Sequence, residues 1–240
     1  MIRLITPLVI AVLLPLTAAA QSADTDDTAV GADIDVSVVL SPFWERNADR
    51  LNRIEQTKEE RFRHYRIDEA QANRSIYRLN RTRLAGTDWA GERLIDDVEE
   101  YTLTNLVVRL VQHNLGRADV EPAGTVRVTI DRLSLTNPDL AVLSGATNWA
   151  KGQFAVVDAD GNVRQSVNVS TNFVANPTVE SDYDGPAYAF LEFDQTQRVG
   201  PLLAQFVEEG LSKLYPDQSD DFHGPIMVRP VLSAPTTTRF

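Results

Sequence analysis

The 240-residue chain contains no cysteine, and it has only three histidines and two methionines. The missing thiols exclude disulfides, thiolate nucleophiles, iron–sulfur clusters and cysteine-ligated zinc. There is no excess of positive charge either. Asp and Glu number 34 against 23 Lys and Arg, a net charge of −11. A basic face is what phosphate contacts require, so general nucleic-acid binding is not expected. The sequence also lacks G-x-S-x-G, a P-loop, H-E-x-x-H and the dinucleotide glycine pattern. It offers no catalytic residues, and neither a cofactor nor a metal site is expected. What is present is a globular composition, 43% hydrophobic and 24% charged.

The longest apolar run is at the start. Leu4–Leu16 follows a single charge, Arg3, and leads to Ala18-Ala19-Ala20 before Gln21. This pattern predicts a secretory signal peptide over residues 1–20, cut after Ala20. The run is too short to span a bilayer, which needs ~20 apolar residues, and no later segment is apolar enough to do so. A periplasmic or secreted protein is expected, of bacterial type because an exported chain of this size has no disulfide. With Arg3 removed, the mature charge becomes −12.

Residues 21–32 are small, polar and acidic, a flexible lead-in. One α+β domain is expected over 33–216, beginning with a strand at 33–40. Residues 43–85 hold eleven cationic and seven acidic side chains, so that the rest of the mature chain carries −16. This stretch has no proline or glycine. Its apolar residues step by three and four, but Glu55, Lys58 and Glu69 interrupt the stripe, predicting one long helix, or two with a break near 66–74. A strongly amphipathic helix is expected over 92–115, stopped by Gly116. From Gly124 the period changes to two. Three antiparallel strands follow, the last two joined by an Asp160-Gly161 hairpin. A helix starting at Gly200-Pro201 ends at Tyr215-Pro216, and an extended, proline-punctuated tail occupies 217–240. The fold class is therefore α+β, a small antiparallel sheet packed on one face by helices, with a long charged N-terminal helical segment.

Four features are candidates for chemistry or binding. His64, His113 and His223 lie in different elements, so a histidine site would require the fold to gather them. Asp158, Asp160 and Asn162 resemble the start of a calcium loop, but the glycine is two positions early and Val169 occupies the place of the final glutamate; the hairpin accounts for the same residues. The loop over 180–194 interleaves Asp182, Tyr183, Asp184, Glu192 and Asp194, a composition suited to binding or hydrolysing glycans. The cationic segment reads first as a solvated helix laced with i,i+4 pairs. Its functional reading is contact with an envelope protein or an anionic lipid surface through Arg61, Arg63, Arg66, Arg74, Arg78 and Arg81.

The phrases VRVTIDRLSL, GQFAVVDADGNV and LLAQFVEEGLSKLYP, in the order strand, hairpin, helix, resemble the small α+β envelope-assembly proteins of the lipopolysaccharide-assembly lipoprotein family. The resemblance is one of architecture over about half the chain, and the lipid-anchor cysteine of that family is missing. It implies a non-enzymatic scaffold or assembly factor in the cell envelope. Glycan chemistry in the 180–194 loop is the alternative.

Overall fold

In a computed structural model, the structure describes residues 34–67, 82–83, 93–135, 148–173, 178–179, 189–191, 198–228 and 231–232. The signal segment, the lead-in and the 180–188 and 192–197 parts of the acidic aromatic loop lie outside them.

The protein is α+β. Its main sheet has four strands: β1 (Val36–Leu40), β3 (Thr125–Ser134), β4 (Trp149–Val157) and β5 (Val163–Asn172), in the order β1-β3-β4-β5. The last three are antiparallel, as their alternating pattern predicts, and β1 joins alongside β3 in parallel, making the sheet mixed. A parallel neighbour needs a crossover, and the chain between Ser41 and Gly124, with its described helices, supplies it. Asp158 accounts for the β4–β5 turn. Its Oδ1 accepts from the backbone N–H groups of Asp160 and Asn162, its Oδ2 from Arg164, and Gly161 takes φ 86°. That carboxylate is engaged within the hairpin turn.

The described residues include three α-helices, α1 (Pro42–Ile67), α2 (Leu103–Arg117) and α3 (Gly200–Leu214), of which the last two cover one face of the sheet. Val126, Val128, Ile130, Ala150, Phe154, Val156 and Val169 of the sheet are buried against α2 and α3. The space between is closely filled. A Cβ built on Gly210 of α3 would lie 2.3 Å from the Phe154 ring, and one on Gly152 would lie 1.9 Å from the Thr129 carbonyl oxygen. Gly210→Ala is expected to cost on the order of 1–3 kcal/mol through overpacking, read as a lower urea midpoint; an unchanged midpoint would mean the helix rides further from the sheet. The opposite sheet face, with Arg127 and Lys151 of the central strands and Ser166, Asn168 and Ser170 of β5, is wet.

The sequence reading differs from the structure in four places. The described part of α1 stops at Ile67, within the 66–74 break that the sequence allows, but Thr82–Arg83, near the end of the expected helical segment, is a short strand, β2. The helix expected over 92–115 begins at Leu103. Residues 93–102 are irregular because α1 takes their carbonyls, Gln56 Nε2 donating to Glu99 and Arg63 to Ile95 and Asp96. Thr102 is the N-cap, accepting from the Asn105 N–H. Gly116 is not the stop, since the helix runs on to Arg117 and Asp119 supplies the left-handed residue, φ 52°. Finally, the tail is not simply extended. After a 3-10 helix (Pro216–Asp221), β8 (Ile226–Val228) pairs in parallel with β6 (Thr178–Val179) and β7 (Ala189–Leu191), and β9 (Val231–Leu232) pairs with β2. Phe222 and Met227 join the core. The body therefore extends past residue 216.

Candidate functional site

Helix α1 is 26 residues long, about 39 Å at 1.5 Å per residue. Its buried line is Leu51, Glu55, Glu59 and Phe62. Two carboxylates thus stand between two apolar side chains on the inner face. They are not the solvated i,i+4 neighbours that the charge run suggests.

The carboxylates are neutralised by arginines from distant parts of the chain. Arg198, at the entrance to α3, is fully buried; its Nε donates to Glu55 Oε2 at 3.0 Å and its Nη2 to Glu59 Oε2 at 3.3 Å. Arg93 grips Glu59 with both prongs, Nε to Oε1 at 2.7 Å and Nη2 to Oε2 at 2.9 Å, and Nη2 also donates to the Ala189 carbonyl. Arg63, one turn along α1, adds a bond to Glu59 Oε1 at 3.1 Å. This fork geometry is what arginine offers and lysine does not. Aromatic faces complete the enclosure: Arg93 lies 4.3 Å from the Phe62 ring centre, and Arg198 lies 4.9 Å from that of Phe190.

The cluster also repairs a helix end. α3 has no side-chain cap of its own, and Pro201 sits in its first turn. Glu55 Oε1 accepts the Val199 N–H, placing a negative charge at that N-terminus. Asn52 Oδ1, a neutral acceptor, meets the start of α2, accepting from the Leu103 N–H at 2.9 Å beside the Thr102 cap. α1 is therefore tied to the starts of both other helices by side chains on its inner face.

Electrostatics follow from this packing. Burial alone would raise the Glu59 carboxyl, but Arg93, its hydrogen bonds, and the Arg198 and Arg63 charges outweigh it and hold the group at about 2. Burial, helped by the Glu59 charge, pushes the Tyr101 hydroxyl well up, so it stays protonated and accepts from Arg198 Nη2. Burial would lower Arg198, but Glu55, Tyr101 and Glu59 more than reverse it. Glu59 and Arg198 therefore stay charged, and Tyr101 neutral, near neutrality. Proton transfer is not what such a cluster offers; fixing α1 in place is.

The outer face of α1 differs. Phe43, Arg46, Arg50 and Arg53 step by three and four along one exposed stripe. Phe43 is 55% exposed and packs edge-on against Trp44, and Val39, at the end of β1, is 47% exposed. Among the described residues neither Arg46 nor Arg50 has a hydrogen-bond or ion-pair partner, and Arg53 bonds only the Asp49 carbonyl.

The structure separates the cationic residues singled out from the sequence. Arg63 points inward to Glu59, so its charge is already used. Arg61 is partly buried and carries interactions of its own. Arg66 is on α1, but its side chain lies outside the described part, as do Arg74, Arg78 and Arg81 entirely. Asp182, Tyr183, Asp184, Glu192 and Asp194 likewise lie outside the described residues. His113 and His223 sit on α2 and after the 3-10 helix; among the described residues no group of three His, Asp or Glu is placed to hold a metal ion. Comparison of the chain with protein families, with curated proteins and with solved structures gives no match.

Proposed function

We propose that the protein is an exported, non-enzymatic scaffold or assembly factor of the bacterial cell envelope, and that it binds an anionic envelope component through the outer stripe of α1. The observation that carries this reading is the coincidence of Arg46 and Arg50, which have no partner among the described residues, with exposed Phe43 on a helix whose inner face is locked. A long, rigidly held helix presenting cations beside an aromatic is a docking element for negative charge. Export is supported by the N-terminal pattern of Arg3, the Leu4–Leu16 run and Ala18-Ala19-Ala20. No helix among the described residues is long and apolar enough to cross a membrane. The resemblance to lipopolysaccharide-assembly lipoproteins read from the sequence points the same way.

The test is charge reversal outside the buried cluster. Arg46→Glu combined with Arg50→Glu leaves every described ion pair intact. It is expected to weaken binding at least tenfold, on the scale of ~1 kcal/mol for each charge lost at an anionic surface. Crosslinking in intact cells and co-sedimentation with anionic vesicles read the two kinds of partner separately. If both assays give the same result for the variant as for the natural protein, or if neither detects binding, the reading fails.

A further inference from the structure

Among the described residues the main sheet ends in a long open edge. β5 spans ten residues and has β4 as its partner on one side. Natural proteins usually blunt such an edge with lysine, proline, a bulge or shortness. Strand β5 has no lysine or proline. Its one irregularity is at the hairpin end, where Arg164 is the extra residue between the Val157↔Val163 and Val156↔Gln165 pairs. From Gln165 to Asn172 the register is unbroken and the strand carries no charge.

The direction of its backbone groups can be read from one bond. Phe173 N–H donates to the Asn148 carbonyl, so that pair is a hydrogen-bonded one. Bonded and non-bonded pairs alternate along an antiparallel ladder. Thr171, Val169, Val167 and Gln165 therefore bond β4, while Asn172, Ser170, Asn168 and Ser166 turn their N–H and C=O groups outward. Gln205 on α3 donates to the Asn172 carbonyl from the open side, in keeping with this direction. That end is thus served by the chain itself. Ser166, Asn168 and Ser170 are exposed, with no backbone partner on that side among the described residues.

We propose that this edge pairs with β5 of a second copy of the chain, antiparallel about a two-fold axis at Asn168, joining the two sheets into one of eight strands. The occupant is a second copy because the edge is complementary to itself. With Asn168 opposite Asn168 of the second copy, Ser166 falls opposite Ser170. All three positions then lie in the hydrogen-bonded class, and each already points outward. On the helix face the same register sets half-buried Val167 opposite Val169, an apolar β-branched pair. On the wet face only Ser and Asn meet, so no like charges are opposed. The two-fold operation is also the commonest route to a closed assembly.

Because the chain has no cysteine, one introduced thiol reports the register directly. Asn168→Cys would place two Cα atoms about 5.5 Å apart across the axis, inside the ~4.4–6.8 Å range of a disulfide. Mild oxidation is expected to give a covalent dimer. Ser166→Cys, four residues out of register with its own copy, is expected to give none. In sedimentation at micromolar concentration the full chain should run at twice its mass. Ser170→Pro, which removes an outward N–H without touching the β4 ladder, and Ser170→Lys should both shift it to the monomer with unchanged circular dichroism. A monomeric natural protein, a dimer indifferent to both Ser170 variants, or crosslinking of Ser166→Cys in place of Asn168→Cys would overturn the proposal.

Discussion

Arg198→Met is expected to lower stability by about 3–5 kcal/mol, the cost of removing one partner from a buried ion pair. In a domain of this size that corresponds to a fall in Tm of roughly 6–20 °C. The loss is large because of what stays behind. Of its described partners Glu55 keeps only the Val199 N–H, and its side chain is fully buried. Glu59 loses its Nη2 contact but keeps Arg93 and Arg63. The damage should therefore be local at first: hydrogen exchange should accelerate along α1 and in the first turn of α3 before it does in β3 and β4. Arg198→Lys keeps the charge without the fork and should fall between the two. Pairing Arg198→Met with Glu55→Leu removes both ions and should recover much of the loss. A change within 1 kcal/mol for Arg198→Met would show that α1 is held by something else.

This cluster was only partly legible in the sequence. The apolar stripe of the charged segment is visible, and so is its interruption at Glu55. The periodicity that puts Leu51 and Phe62 on the inner face also puts Glu55 and Glu59 there, and a buried carboxylate needs a buried cation. The signal was therefore present, but the partners were not. Arg93 and Arg198 lie 34 and 139 residues from Glu59, and no local rule of spacing connects them. A charge run is normally a solvated face, so the i,i+4 neighbours were the natural choice of partner. One such pair, Glu59–Arg63, does form, but it points inward.

The sheet and the last helix were far more legible, because their signals are local. Asp160-Gly161 fixes the hairpin, period-two alternation fixes β3, and Gly200-Pro201 and Tyr215-Pro216 bracket α3. The start of α2 departs from its local signal for a different reason. The acids of 96–100 suit a helix N-terminus by charge, yet the carbonyls there are more strongly engaged by Gln56 and Arg63 from α1. Tertiary hydrogen bonds overrode a local preference. The tail failed similarly: β8 finds its partners in 178–179 and 189–191, pairings that proline punctuation does not reveal.

Acid should release the same lock without mutation. Glu59 is depressed from its ordinary 4.5 to about 2 in the folded protein. A depressed carboxyl contributes stability that is complete above its unfolded value and is lost as pH falls through the folded one. The window is therefore pH 4.5 down to 2, and the contribution is on the order of 3 kcal/mol, with about 2 kcal/mol of it gone by pH 3. Urea midpoints measured between pH 6 and pH 2.5 should decline through this range. Glu59→Gln should be less stable at neutral pH, because it strands Arg93 in the interior, but flatter below pH 4.5, since the proton it would take up is already in place. The slope, and not the starting stability, is the diagnostic quantity: other carboxylates are common to both proteins, so the difference between the two curves isolates the cluster. If the two curves fall in parallel, the buried carboxylate does not hold its charge against acid, and the rigid presentation of the outer α1 stripe loses its physical basis.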